Sequence, residues 1–277
     1  MAFTALCAAL LPVTMSAHGT PAVADGNAAT GRPSTAGRPD AAISAALEKA
    51  GALSSGYLSV AVLDLDSGAS REYAPADHFF ATASIVKADI LSALLLRTQD
   101  EGRTLTAPER DNADRMIRAS DNDAATYLWN RIGGGAGLAK ANERLGLAAT
   151  TPGPTWGVTT TTASDQLRIL RAISTNDSPL TPGNRAFLHG LMSRVQPDQA
   201  WGVSAAADPG SATALKNGWL PRSATGLWVV NSIGEVRHDG HRLLVAVVSD
   251  SHRTMDIGVR QVEAAARAAT DVVMNSA

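Results

Sequence analysis

Ser84 and Lys87 lie three residues apart in the run Ser84-Ile85-Val86-Lys87, within a stretch that is otherwise mostly apolar. On a helix that spacing turns both side chains to one face, so the amine can reach the hydroxyl. A free hydroxyl is a weak nucleophile, and an amine held in a desolvated site loses basicity until it can accept a proton near neutral pH. The pair reads as a serine nucleophile with a lysine proton partner. Ser-x-x-Lys alone is a common surface-helix pattern, but two features narrow it here. The chain has only four lysines, and Lys87 interrupts an apolar helix, where a solvated charge is out of place.

Two further constellations follow along the chain. Ser120-Asp121-Asn122 stands between two helical segments and could bring a hydroxyl and an amide to a cleft. Taken alone it reads first as a helix cap, since Ser, Asp and Asn are the preferred capping residues. Lys216-Asn217-Gly218 lies in a strand pattern bordered by Ala214, Leu215, Trp219 and Leu220. Glycine inside a strand marks close approach of a ligand or another backbone, whereas a lysine-bearing edge strand also has a purely structural use.

Competing chemistries find less support. The chain contains neither a Gly-x-Ser-x-Gly elbow nor a His-x-x-x-His zinc helix of the His-Glu-x-x-His type. His238 and His241 flank the Asp239-Gly240 turn and read as solvated hairpin-tip residues rather than metal ligands. Trp156, Trp201 and Trp228 read as partly buried core, with Trp219 assigned to the cleft because it follows Gly218. Arg222, beside Pro221, reads equally as a carboxylate binder or an exposed turn residue.

The elements that must position these residues can be traced from the same sequence. Asp40 caps a short helix over Ala41 to Ala50, closed by Gly51. Strands are expected over Tyr57 to Leu65 and Arg71 to Tyr73, joined through Asp66-Ser67-Gly68. Ser84 to Thr98 is apolar nearly all round and reads as a central helix surrounded by protein. Thr106-Ala107-Pro108-Glu109 is a capping-box pattern that opens a helix to Ala119. More helices follow at Ala124 to Arg131, Gly137 to Leu145, Ala163 to Ser174 and Pro182 to Val195. Strands return at Thr213 to Leu220, Leu227 to Glu235 and Arg242 to Ser249, and a helix with one apolar face closes the chain from Asp256 to Met274. Strands from both ends must share one antiparallel sheet, with the helical block inserted beside it.

Composition sets the outer bounds. The chain has 277 residues, 45% of them apolar, enough for a substantial core. A net charge of −2 gives no basic field for nucleic acid or an anionic membrane. Cys7 is the only cysteine, so an internal disulfide and a thiolate metal site are both excluded. The apolar run from Phe3 to Val13, followed by Ala22-Val23-Ala24, reads as a signal peptide over residues 1–24, and the Gly- and Pro-rich residues 25–39 as a flexible leader. An exported protein with no membrane span after signal removal is the expectation.

In this order the three constellations resemble the Ser-x-x-Lys, Ser-Asp-Asn and Lys-Thr-Gly motifs of the class A β-lactamase and penicillin-binding group of active-site serine enzymes. The resemblance covers Asp40 to Ala277, and it is supported by Ala124-Ala125, Leu128 and Ile132-Gly133-Gly134, and by the threonine run Thr159 to Thr162 ahead of Ala163. It implies an α/β fold: a five-stranded antiparallel sheet flanked by N- and C-terminal helices, with sheet parts at 40–80 and 206–277 and a helical part at 81–205. It further implies Ser84 as nucleophile, Lys87 as proton partner and Ser120 as proton shuttle to the leaving nitrogen. Asn122 would bind the substrate's side-chain amide, Lys216 would supply positive charge for its carboxylate, Asn217 and Gly218 would line the substrate site, and the N–H groups of Ser84 and Trp219 would form the oxyanion hole. The implied substrate is a small β-lactam or peptidoglycan-like amide or ester, handled by a monomer without metal or cofactor. The alternatives on the same scaffold are a D-alanyl-D-alanine peptidase, an esterase, and a penicillin-binding sensor that does not turn over.

Three departures bear on that expectation. Asn217 replaces the usual threonine, and only 36 positions separate Ser84 from Ser120, which trims one cleft wall. From Leu145 to Ser164 there is no Asp or Glu, although class A enzymes carry in this region the glutamate that activates the deacylating water. Asp165 is the nearest carboxylate, and its position suits the first turn of a helix.

Overall fold

A computed structural model describes residues 40–75 and 77–276, so the expected signal peptide, the leader and Cys7 lie outside the described residues. Asp40 accepts a hydrogen bond from the Ala42 N–H and opens α1 (Ala41–Lys49). Strands β1 (Tyr57–Asp64) and β2 (Ser70–Tyr73) form the first hairpin, and β3 (Phe80–Ala81) leads into the helical block. That block comprises α2 (Val86–Asp100), α3 (Ala107–Arg118), α4 (Asn122–Ile132) and α5 (Gly134–Leu145), then the short strand β4 (Thr160–Thr161), α6 (Ala163–Ser174) and α7 (Pro182–Met192). Strands β5 (Ala214–Pro221), β6 (Trp228–His238) and β7 (His241–Asp250) and helix α8 (Met255–Met274) complete the chain. No helix of the described residues is long and apolar enough to cross a membrane.

The main sheet runs β2-β1-β7-β6-β5 with every pairing antiparallel, so the strand nearest the start pairs with the last strand of the chain. Alternation along β1 and β7 sends Val60, Val62, Val245 and Val247 to one face, where Ile43 and Leu47 of α1 and Val262 and Ala266 of α8 cover them. Ala61, Leu244, Ala246 and Val248 face the helical block instead. Because both faces are covered, β7 is buried from Leu243 to Asp250 and reads as one apolar run. Helix α2 has core on every side, which is why its sequence shows no polar face. This is the α/β arrangement expected from the sequence.

Several element bounds differ. The helix expected from Ser84 begins at Val86, since Ala83–Ile85 forms a single 3-10 turn and Ala83 holds a left-handed φ of 46°. The helix expected from Gly137 starts at Gly134, and that expected to reach Val195 stops at Met192. The pair β3 and β4 was not expected, because two-residue strands are too short to show a period. The Thr106 capping box is present, with Glu109 accepting from the Thr106 N–H and Thr106 accepting from the Glu109 N–H.

Candidate active site

Ser84 occupies the turn between β3 and α2, and its backbone is fixed from three sides. The Thr82 N–H donates to the Thr159 carbonyl at 2.8 Å, tying the turn to the segment ahead of β4. Asn231, fully buried on β6, donates its amide to the Ala81 and Thr82 carbonyls at 2.9 and 3.0 Å and accepts from the Ser249 N–H at 2.9 Å. On the third side runs β5. A Cβ on Gly218 would stand 2.6 Å from the Ser84 nitrogen and 2.7 Å from that of Ile85, so only glycine lets the strand come this close. The Ser84 N–H is thereby held beside Gly218-Trp219. A left-handed alanine costs about 1 kcal/mol, which these three restraints offset.

Lys87 is buried one turn on, and its three donors go to the Ser120 carbonyl (2.6 Å), Ser120 Oγ (3.1 Å) and Asn122 Oδ1 (2.9 Å). None goes to Ser84, so the direct contact expected from the helical spacing is not made. The amine turns instead to the three acceptors that Ser120 and Asn122 present to it. Desolvation brings the Lys87 amine down from 10.5 to about 7, against the Asp121 carboxylate, which raises it.

Ser120 has a left-handed φ of 55°, and its hydroxyl lies between two amines. Lys216 Nζ donates to Ser120 Oγ at 3.0 Å and to the Asn217 carbonyl at 2.8 Å. With both lone pairs of Ser120 Oγ taken by lysines, its own proton remains free to donate. Burial, and then the charge of Lys87, drive the Lys216 amine well below its ordinary range. The middle residue, Asp121, is a helix cap: it accepts from the Ala124 N–H at 2.8 Å and from Arg115 at 3.1 Å. Asp121 thus does the capping, while Ser120 and Asn122 turn to Lys87.

Asn217 is placed differently from expectation. Strand alternation puts it on the face opposite Lys216 and Gly218, where its amide donates to the Gln199 and Trp201 carbonyls at 2.8 and 2.9 Å. It is fully buried there and offers nothing to a ligand. Trp219 does line the cleft, a cavity of about 380 Å³ shared with Ser84, Asn122, Trp156, Val158 and Leu220. Its ring also packs against Trp201, with centroids 5.8 Å apart.

Two residues of the site went unread in the sequence. Trp156, taken as core, stands over Lys87 with Nζ 4.8 Å from the ring centroid, and its Nε1–H donates to Thr126 at 3.2 Å. Asn231 had one available signal, a polar residue in the middle of a strand buried on both faces. Asp165 lies in the first turn of α6, fully buried, accepting from the Ala149 N–H, Thr150 and Arg168. Both of its oxygens are thus already engaged away from the cleft lining.

The remaining candidates fall outside the cleft. His238 and His241 are not free hairpin-tip groups: His238 contacts the Ala206 carbonyl (2.7 Å) and Asp271 (3.1 Å), and His241 lies 3.0 Å from Asp64. Asp64, Asp66 and His241 cluster together, but Asp64 already accepts from the Asp66 N–H, Ser67 and His241. Arg222 is an exposed residue of the turn between β5 and β6, bonded through its backbone to Leu227, Thr225 and Gly226.

Solved structures share this fold. A β-lactamase from Burkholderia vietnamiensis matches with a TM-score of 0.72 and 24% identity, over 86% of this chain and 98% of that one. The TLA-1 extended-spectrum β-lactamase matches with 0.73 and 16%, over 83% and 98%. A mutant of PBP-A, solved as an acyl-enzyme complex with penicillin G, matches with 0.71 and 22%, over 86% and 98%. At such identities the likeness is one of fold. In sequence the chain is 30% identical over 174 residues to LppW of Mycobacterium tuberculosis, provisionally named a lipoprotein; the aligned part is 59% of this chain and 54% of LppW. The chain thus spans about half the length of the curated relatives it matches. The family model described as the Beta-lactamase enzyme family matches residues 96–274. A match of that extent, on a fold shared with β-lactamases of known structure, makes this chain a member of the β-lactamase enzyme family.

Proposed function

We propose that the chain is a serine acyl-transfer enzyme of the exported, cell-envelope kind, acylated at Ser84 by a β-lactam or a related amide or ester. The observation that carries the reading is the Ser120 hydroxyl held between Lys87 and Lys216 beside the Ser84 turn. The family match begins at residue 96, so Ser84 and Lys87 rest on this geometry and on their motif. Neutral Lys87 has one donor fewer than the ammonium, and once its freed lone pair turns to Ser84 it takes the Ser84 proton as Oγ bonds the substrate carbonyl carbon. The oxyanion accepts from the N–H groups of Ser84 and Trp219. Collapse breaks the carbonyl bond to the leaving nitrogen or oxygen, which takes the Ser120 proton, and Lys87 returns its proton to Ser120.

Deacylation is the slow half of this reaction. The Leu145–Ser164 segment supplies no carboxylate to activate water, and Trp156 stands over Lys87 from that same segment. The persistent acyl-enzyme of a penicillin-binding protein is accordingly favoured over rapid lactamase turnover. Intact-protein mass, followed over time after mixing with benzylpenicillin or a 4-nitrophenyl ester, tests both halves. The expected result is a Ser84-dependent adduct that outlasts a lactamase cycle; a fast-clearing adduct with product release would mean a true lactamase. If Ser84→Ala acquires the same adducts as the native chain, the reading fails.

A further inference from the structure

Acyl-transfer sites of this layout can be built for anionic or for neutral substrates, and the lining of the cleft decides between them. None of the residues that line this cleft, among the described residues, carries a charge. Its walls are the rings of Trp156 and Trp219, with Val158, Leu220 and the bare backbone of Gly157 between them. Val158 is 40% exposed, a large apolar side chain left open to whatever enters. Such surface gains from covering by a flat or branched apolar group.

The side chains that could neutralise or bind a substrate carboxylate are all buried. Lys216 is 1% exposed, with Nζ on Ser120 Oγ and the Asn217 carbonyl. Lys87 has all three donors on Ser120 and Asn122 and is capped by the Trp156 ring. The side chain of Asn217, in the position of a carboxylate-binding threonine, faces the opposite side of the strand. The N-terminal end of α4 bears Asp121 and Asp123, which already answer its partial positive charge. A carboxylate entering here would lose hydration without gaining a cationic partner in the lining.

We propose that this cleft takes an uncharged acyl group with an aromatic or branched apolar side chain, as its ester or amide, and discriminates against acyl groups that carry a carboxylate. The inference rests on Ser84 being the acylated residue only for its catalytic half; the binding half stands on the cleft alone. Natural substrates would then be neutral esters or amides, and ordinary penicillins, which are carboxylates, would acylate slowly.

The test has two arms. In the first, phenylacetamide and phenylacetate, matched in shape and differing in charge, are titrated into Ser84→Ala, with the fluorescence of the cleft tryptophans as the signal. Phenylacetamide is expected to bind at least roughly tenfold more tightly, and Trp219→Ala in the same background is expected to narrow that ratio. In the second, the native chain is given 4-nitrophenyl butyrate and 4-nitrophenyl hemisuccinate, which share a leaving group and differ in a terminal carboxylate. The Ser84-dependent rate is expected to favour butyrate by about tenfold after correction for the uncatalysed rates. Equal or tighter binding of phenylacetate, or faster Ser84-dependent reaction with the hemisuccinate, would overturn the inference. A selective loss of the hemisuccinate reaction in Arg222→Ala would overturn it too, by revealing a cation that serves the cleft. A clear binding preference without Ser84-dependent chemistry would leave this inference standing and remove Ser84 as nucleophile instead.

Discussion

In the proposed reaction the chemistry at Lys87 depends on one proton. Its amine is brought to about 7 by desolvation, so close to half of it is neutral at pH 7, and only the neutral form can take the Ser84 proton. The acylation rate should therefore rise with pH, reach half its plateau near pH 7, and level off above pH 8. Stopped-flow acylation by a 4-nitrophenyl ester between pH 5 and 9 measures this. A profile flat across that range would remove Lys87 as the base. The residue types of the site were legible in the sequence because chemistry restricts them: a lone serine-lysine pair in an apolar helix, a capping triplet and a glycine in a strand leave few explanations. What could not be read was the direction of the side chains. Asn217 faces away from the cleft because its strand neighbours face toward it, and Lys87 bonds Ser120 rather than Ser84 because the loop ahead of α4 brings it acceptors from another element. Both are matters of register between elements, which a single sequence does not specify.

Between elements, Asn231 is the joint on which the Ser84 turn depends. It links β6, β7 and the two carbonyls just ahead of Ala83, and Gly218 opposite it in register is the residue that Ser84 approaches. Asn231→Asp keeps the shape but aims an oxygen at two carbonyl oxygens in place of their donor. A nucleophile displaced by about 1 Å loses on the order of 100-fold in rate, and that is the expected loss in acylation. Stability should fall as well, by about 1–3 kcal/mol for unsatisfied buried groups. Positioning is separated from general damage by two further readings: phenylacetamide should still bind the cleft, and the pH midpoint should stay near 7. Loss of cleft binding together with activity would mean that Asn231 merely holds the fold. The larger elements were easier to read than this joint, because α1, α8 and the sheet strands each bury a regular face and so display their period. The short strands β3 and β4 position Ser84 but are too brief to have one.

For the whole molecule, the buried ionisable groups that serve the site shape the dependence of stability on pH. Asp89, two residues beyond Lys87, is fully buried; burial raises its carboxyl from 3.8 to about 7, the nearby Asp165 adding to this and Gln166 opposing it. Its Oδ1 has no hydrogen-bond partner among the described residues, as suits a carboxylic acid more than a carboxylate. Between about pH 4 and 7 the folded chain holds a proton on Asp89 that the unfolded chain has lost, so stability falls as pH rises through that window. Lys87 acts in the next window with the opposite sign: from about 7 to 10.5 the unfolded chain keeps a proton that the folded chain has released, and stability rises. Glu109 acts at the acid end, where Arg103, the Thr106 N–H and Arg131 outweigh desolvation and hold it at about 2, so its contribution is lost as pH falls below 4.5. Together these three groups give stability a dip near neutral pH. Denaturant unfolding of the native chain and of Asp89→Asn at pH 4, 5.5, 7 and 8.5 isolates the middle term. The difference between the two should shift in favour of Asn from pH 4 to 7 and then stay level, since Asn carries no proton to lose. A constant difference across the series would mean that Asp89 titrates normally despite its burial. The dip would then disappear, leaving only the rise owed to Lys87, which the same comparison with Lys87→Met reports: the advantage of Met over the native chain should shrink between pH 7 and 10.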